Sequence, residues 1–139
     1  VTEIISGLSS PAGMILSEDA SLLYVSERGR HRIVTLEIDD EGNLENHHIF
    51  VELKDGGSAE CLLFDAHGQL YASVPGQGIL IIDPEGERVS TLELPGAAVS
   101  GMAFGGLEFD NLFVCEGDGV YRVSVEVPGQ RPFAGPRSV

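Results

Sequence analysis

The sequence predicts an all-β fold built from β-propeller blades, with three four-stranded blades per chain that make half of a six-bladed propeller. The first observation is a degenerate repeat whose copies align on Met14, Leu62 and Met102, spaced 48 and 40 residues apart. Each copy holds an apolar strand, a turn, an aromatic-containing strand, a Gly-rich turn and a third strand. A period of roughly 40–50 residues with about four strands is typical of a propeller blade. The second observation is the 18 glycines, which suit tight hairpins, and no window has a helical period.

The elements follow from this repeat within one domain, 1–139. Residues 1–5 alternate weakly and predict a lone first strand. The blades are expected at 11–53, 59–94 and 99–126, and the Pro- and Gly-rich segment 127–139 is expected to be irregular. Their predicted strands are 13–16, 22–26, 31–38 and 47–53, then 60–64, 69–73, 78–82 and 88–94, then 100–104, 111–115 and 119–125.

Three blades cannot close a ring, because known propellers have about 4–8. The third copy lacks an outer strand, while strand 1–5 precedes the first blade. Propellers often complete one blade with strands from both chain ends, which also hides open sheet edges. One hypothesis is therefore a homodimer with twofold symmetry, in which strand 1–5 of each chain completes the third blade of its partner. The other is that the chain is half of a longer protein.

Charge and hydropathy exclude several function classes. The net charge is −14, with 8 Lys and Arg against 22 Asp and Glu. This balance argues against nucleic acid and anionic membrane surfaces, which attract clustered basic residues, and it is compatible with cation binding. The sequence contains no run of 18 apolar residues, the pattern that predicts a membrane span. It also lacks a charged segment followed by an apolar one, the pattern that predicts a secretory signal. We expect a cytoplasmic rather than a secreted protein, with a natural start that could lie upstream of Val1.

Several residues with reactive side chains have simple structural interpretations. Cys61 and Cys115 fall in predicted strands of different blades and are expected to be buried free thiols. His47 and His48 are adjacent in a strand and point to opposite faces, so we expect a surface location. The segment from Asp39 to Asn43 has the acidic alternation of a calcium loop but is too short, and it predicts a hairpin turn.

Longer strings of residues resemble one family. They are PAGM at 11–14, LLYVS at 22–26, HRI at 31–33, LLFDAHGQLY at 62–71, AFGG at 103–106, GVYRV at 119–123 and VPG at 127–129. Together they resemble the family of senescence marker protein (regucalcin), gluconolactonase and luciferin-regenerating enzyme. The resemblance covers nearly all of this chain, but only the C-terminal half of the six-bladed domain. It implies a divalent cation, calcium or zinc, held at one mouth of the tunnel by carboxylates and an Asn, where it polarises the carbonyl of a sugar lactone.

Carried over residue by residue, the resemblance makes Glu60 the candidate metal ligand and catalytic acidic group. Ala12 stands where the family has a ligating Asn, so that ligand is lost. Ser100 is at the equivalent mouth position of the third blade, where its hydroxyl could contact substrate. Glu27 and Glu116 follow equivalent second strands and are weaker candidates for substrate contacts in the tunnel. In a two-chain ring, two Glu60 carboxylates facing each other could hold a cation or share a proton.

Three functions remain open from the sequence. The first is a metal-assisted lactone or ester hydrolase of gluconolactonase type, acting on a lactone or sugar acid. The second is a non-catalytic propeller module that binds a small molecule or a partner, an alternative that Ala12 favours. The third is a half-propeller without independent function.

Overall fold

The computed structural model describes residues 1–96 and 98–131, and these form three antiparallel sheets joined in sequence. The first sheet contains β1 (Pro11–Leu16), β2 (Leu22–Glu27), β3 (Arg32–Ile38) and β4 (Leu44–Glu52). The second contains β5 (Leu62–Phe64), β6 (Leu70–Val74), β7 (Gly78–Ile82) and β8 (Arg88–Leu92), and the third contains β9 (Val99–Gly105), β10 (Asn111–Glu116) and β11 (Gly119–Ser124). Each strand pairs with the next along the chain, so every sheet is a meander. The predicted all-β blade architecture is confirmed.

Apolar side chains between successive sheets hold the blades together. The layer between the first and second sheets includes Ile33, Leu70 and Ile82, all 1% exposed or less. Tyr24 packs edge-on against both Phe50 and Phe64, with ring centroids 5.1 and 4.9 Å apart. A second layer joins the second sheet to the third. It contains the buried side chains of Tyr71, Ile79, Ile81, Val99, Leu112 and Val114. This stacking follows from strand alternation, because each sheet must bury its apolar faces against a neighbour.

The segment 1–5, predicted as a strand that completes the third blade of a partner, is not a strand in this single chain. Ile5, together with Leu8, instead packs on the first sheet against Val25, Val34 and Leu36. The physical reason is that a short segment becomes a strand only when a sheet edge offers it hydrogen bonds. The third sheet has three strands within the described residues, as its sequence predicts. Completion of that sheet by segment 1–5 of another chain remains a prediction.

The start of the C-terminal segment is ordered against the second sheet. The Ala66 N–H donates to the Pro128 carbonyl at 2.8 Å, and the Gln130 N–H donates to the Phe64 carbonyl at 2.9 Å. Gly129 also forms an isolated bridge with Asp65. Up to residue 131, the segment predicted to be irregular therefore has no strand of its own but has specific hydrogen bonds. The remainder of that prediction, 132–139, lies outside the described residues.

Aspartates fix three of the turns predicted from the sequence. Oδ1 of Asp39 accepts the N–H groups of Glu41 and Asn43, at 2.9 and 2.8 Å. Asp65 and Asp83 accept the amides two and four residues ahead in the same way. These bonds lower the pKa of Asp39 below its usual value, chiefly through the Asn43 N–H. The 39–43 segment is thus a hairpin turn between β3 and β4, as predicted.

The two cysteines are free, but they are less buried than predicted. Cys61 is half-buried and Cys115 is exposed. On β10 the buried positions are Leu112, Val114 and Glu116, so the intervening Cys115 must face the opposite side of the strand. That side of the third sheet has no neighbouring sheet within the described residues.

Candidate functional site

Glu60 is held at the entry of the second sheet by bonds to one residue of β6. Its N–H donates to the Ser73 carbonyl at 2.8 Å, while the next N–H, of Cys61, donates to the Ser73 hydroxyl at 2.9 Å. The Ser73 hydroxyl thus takes the place of a backbone carbonyl as the acceptor for the Cys61 N–H. The regular strand β5 begins only at Leu62. On the other side, a Cβ at Gly13 would lie 2.4 Å from the Glu60 carbonyl oxygen. Close approach of β1 to this backbone therefore requires glycine at position 13.

Arg28 projects from a one-turn 3-10 helix, Arg28–Arg30, that connects β2 to β3 within the first sheet. The backbone N–H of Arg28 donates to the Ser10 carbonyl at 3.2 Å, and the backbone N–H of Gly29 donates to the Ser9 carbonyl at 3.0 Å. The Ser58 hydroxyl donates to the Arg28 carbonyl at 3.2 Å. Because these bonds use backbone groups of the turn, its position does not depend on the guanidinium.

Arg28 and Glu60 form an ion pair across the junction of the first two sheets. Nη1 of Arg28 lies 3.1 Å from Oε1 and 3.3 Å from Oε2 of Glu60. The side chains remain 42% and 33% exposed, so a small ligand can reach both. A pair this exposed contributes about 0–1 kcal/mol to stability. Its significance is therefore the placement of a cation beside a carboxylate.

Ser100 lies on the same cleft as Glu60, as the alignment of the repeats predicts. The cleft has a volume of about 350 Å³ and is also lined by Cys61, Pro75 and Val99. The Ser100 hydroxyl makes one long contact, 3.5 Å to the Cys115 carbonyl. It therefore remains available to a ligand. The sequence-predicted pair of Glu60 and Ser100 is brought together by the entry segments of the second and third sheets.

Glu27 does not line this cleft, although the sequence analysis considered it for substrate contacts. Its side chain is fully buried at the end of β2. Oε1 accepts from Nε of Arg32, and Oε2 accepts from Nη1 of Arg30, both at 2.6 Å, while the Ser9 N–H also donates to Oε2 at 2.9 Å. Burial would raise the pKa of Glu27, but the amide of Ser9 and the two guanidinium groups outweigh burial and lower it. This geometry gives Glu27 a structural role.

Glu116, the other weak candidate, is buried at the end of β10 and is 5% exposed. Oε2 has no hydrogen-bond partner within residues 1–96 and 98–131. The side chain lies against Gly96, where an added Cβ would be 1.6 Å from Oε1. Glu116 is absent from the lining of the cleft that contains Glu60 and Ser100. It is thus a separate buried carboxylate.

The described residues do not by themselves fit a calcium or zinc ion. Such ions require several oxygen or nitrogen ligands, and Ala12 offers only a methyl group. Both Glu60 oxygens already face the Arg28 guanidinium. Throughout the described part of the chain, no group of three His, Cys, Asp or Glu side chains is placed to hold a metal. A metal at Glu60 would need ligands from outside these residues.

Sequence reasoning missed the role of Arg28, which was assigned only to a turn. A signal was present: three of the eight basic residues, Arg28, Arg30 and Arg32, fall within five positions of a strongly acidic chain. Arg30 and Arg32 pair locally with Glu27, whereas Arg28 and Glu60 are 32 residues apart in sequence. The Arg28–Glu60 pair could not be predicted because it depends on how the first sheet meets the second.

Among the described residues, no helix is long and apolar enough to cross a membrane.

The family model of the SMP-30/Gluconolactonase/LRE-like region matches residues 1–117. A gluconolactonase of Zymomonas mobilis is 31% identical over 134 residues, which cover 89% of this chain and 37% of the relative. Two solved structures share the fold. A gluconolactonase from Xanthomonas campestris has a TM-score of 0.74 and 26% identity, covering 90% of this chain and 39% of its own. A calcium-binding protein, regucalcin from Agrobacterium tumefaciens, has a TM-score of 0.79 and 19% identity, covering 94% and 52%.

The curated relatives are each matched over only part of their length. The chain spans about half or less of the length of the curated relatives it matches, from 37% to 51%. The match over residues 1–117 nevertheless includes all three sheets up to the end of β10, together with Ala12, Glu60 and Ser100. The chain belongs to the SMP-30/gluconolactonase/LRE-like family, as the strings of residues that resemble it had indicated.

Proposed function

We propose that the cleft between Glu60 and Ser100 binds a lactone or a related cyclic ester and promotes its hydrolysis. The observation that carries the proposal is the placement of a partly exposed carboxylate and a hydroxyl on one cleft. Family membership supports it, because relatives of this chain are named gluconolactonase and pentonolactonase.

The chemistry suits these residues. The Glu60 carboxylate is placed to accept a proton from a water molecule as the water oxygen adds to the lactone carbonyl carbon. The bond between that carbon and the ring oxygen then breaks, and the ring oxygen takes up a proton. The Ser100 hydroxyl can donate to an oxygen of the substrate and orient the ring. The products are a sugar acid, with its carboxylate, and a free hydroxyl.

Hydrolysis of a lactone panel by pH-stat titration tests this proposal. Glu60→Gln keeps the size of the side chain but removes the base, and it should lower kcat by about 100-fold or more. Glu45→Gln provides a matched control, because Glu45 is exposed on β4 and far in sequence from the cleft. Equal activity of wild type and Glu60→Gln would overturn the assignment.

A second candidate is a non-catalytic binding module. Ala12 favours it, because the mouth position that carries a metal-ligating Asn in the resembled family has no ligand atom here. In that case a lactone or sugar acid should bind with a Glu60-dependent affinity, measurable by calorimetry, without acid release in the pH-stat. Absence of both binding and hydrolysis would exclude the two candidates together.

We also propose that a second copy of this chain supplies the remaining blades. The outer face of the third sheet supports this, because Phe113 and Val120 are 37% and 70% exposed there. Cross-strand pairing of Cys115 with Val120 places Val120 on the same face as Cys115. In a closed ring this face would pack against another sheet, as the second sheet does on either side.

A further inference from the structure

The positive charge beside the Glu60 carboxylate comes from a side chain of the protein, Arg28. We propose that the guanidinium of Arg28, which contacts Glu60 at the edge of the cleft, serves as its electrophilic group and donates hydrogen bonds to the carbonyl oxygen of the bound ester in place of a divalent metal. This inference rests on the proposed function of the same cleft. It assigns a catalytic residue that sequence comparison with the family did not indicate.

Geometry gives the first support. Glu60 engages Nη1 of Arg28, at 3.1 and 3.3 Å. Nε of Arg28 is buried and out of reach of a ligand, whereas Nη2 makes no hydrogen bond to a described residue. A guanidinium has five N–H donors, so one carboxylate on one nitrogen leaves donors for a second acceptor. The side chain is 42% exposed, which leaves the group accessible from solvent.

The charge around the mouth gives the second support. Glu27 is neutralised within the protein by Arg30 and Arg32, whose nitrogens lie 2.6 Å from its two oxygens. Arg30 and Arg32 are thus occupied by Glu27, which leaves Arg28 as the guanidinium beside Glu60. The chain as a whole carries a net charge of −14. A positive centre in such a chain favours an oxygen atom on which negative charge develops.

The reaction step balances without a metal. As the water oxygen adds to the carbonyl carbon, its proton moves to Glu60 and the carbonyl oxygen becomes an oxyanion beside Arg28. When the carbon–oxygen bond of the ring breaks, the oxyanion returns its electron pair to form the carboxyl group. The ring oxygen takes the proton from Glu60 and becomes a hydroxyl of the opened product, which regenerates the Glu60 carboxylate. Arg28 only donates hydrogen bonds and gives up no proton in these steps.

The side chain of Arg28 can be tested separately from the fold. Its turn is fixed through the backbone to Ser9 and Ser10 and by the Ser58 hydroxyl. Arg28→Met keeps the aliphatic stem and removes every donor, whereas Arg28→Lys keeps the charge but loses the planar fork. Arg88→Met is the matched control, because Arg88 is exposed at the start of β8 and away from the cleft.

The experiment uses the full chain in EDTA-containing buffer, with D-glucono-1,5-lactam as a ring ligand that retains the carbonyl oxygen and resists hydrolysis. Calorimetry should show binding to wild type and to Arg88→Met. Binding should be about 10- to 100-fold weaker for Arg28→Met and intermediate for Arg28→Lys. Hydrolysis of D-glucono-1,5-lactone should follow the same order, with the loss mainly in kcat, and added calcium or zinc should change neither measurement.

Two results would overturn the inference while leaving the proposed function intact. One is lactone hydrolysis by wild type that is abolished by EDTA and restored by calcium or zinc. The other is an Arg28→Met variant that retains lactam affinity and kcat within about twofold of wild type. If wild type neither binds the lactam nor hydrolyses the lactone under any metal condition, the proposed function and this inference fail together.

Discussion

Glu27 and Glu116 occupy equivalent positions in the first and third sheets, yet only Glu27 faces a cation across its strand. Each is the last residue of the second strand of its sheet. The cross-strand partner of Glu27 is Arg32, whereas the partner of Glu116 is Gly119. The same repeat position therefore holds a saturated ion cluster in one blade and a carboxylate with a free oxygen, among the described residues, in another.

This difference predicts opposite responses to mutation. Glu27→Ala leaves two guanidinium groups and the Ser9 N–H without their buried acceptor, and it should reduce the free energy of unfolding by about 3 kcal/mol. Glu116→Gln removes the charge of a carboxylate with an unpartnered oxygen, and it should change stability by less than about 1 kcal/mol. Urea denaturation followed by circular dichroism measures both. A larger loss for Glu116→Gln than for Glu27→Ala would contradict the assignment.

The lowered pKa of Glu27 predicts a specific dependence of stability on pH. In the unfolded chain Glu27 titrates near 4.5, while in the folded protein its pKa lies lower. Between these values the unfolded state binds more protons, so the stabilisation is present above about pH 4.5 and is lost as pH falls through the folded-state pKa. Urea midpoints measured from pH 7 to pH 3 should fall less steeply in Glu27→Gln than in wild type. Parallel curves would exclude this contribution.

Gly13 and Gly101 provide a matched pair for the contact between β1 and the Glu60 backbone. Each precedes the methionine on which its repeat aligns. A Cβ at Gly13 would lie 2.4 Å from the Glu60 carbonyl oxygen, whereas a Cβ at Gly101 would have nothing within 4 Å. Gly13→Ala should therefore cost about 1–3 kcal/mol of stability and weaken lactam binding by moving Glu60. Gly101→Ala should be nearly neutral, and thermal unfolding with calorimetry distinguishes the two.

If two copies of the chain assemble, the particle in solution should have twice the mass of one chain. Light scattering after size-exclusion chromatography should give twice the 14.8 kDa of a single chain. Val120→Glu places a charge on the exposed outer face of the third sheet and should produce a monomer. Val89→Glu is the control, since Val89 is 53% exposed on β8 in the second sheet and should leave the dimer intact. A monomeric wild type would refute the homodimer.

Much of the fold could be predicted because its causes are local. Turn chemistry at Asp39, Asp65 and Asp83 and the alternation along β3 and β10 identify hairpins and faces without any tertiary information. Segment 1–5 is not a strand in the single chain, because strand formation depends on a sheet edge, and the edge expected for it belongs to another chain. Cys115 was wrongly expected to be buried, because a strand position does not reveal which face of its sheet is covered.

By itself, the sequence determined the repeat, the blade class and the family, since these follow from periodicity and short strings of residues, and the family resemblance made Glu60 and Ser100 candidates for the site. Only the tertiary structure decided what those positions contact. Arg28 meets Glu60, 32 residues away, because the 3-10 turn after β2 packs against the entry of the next sheet. Electrostatic partners depend on distances of a few ångströms between segments far apart in the chain, and periodicity alone does not encode them.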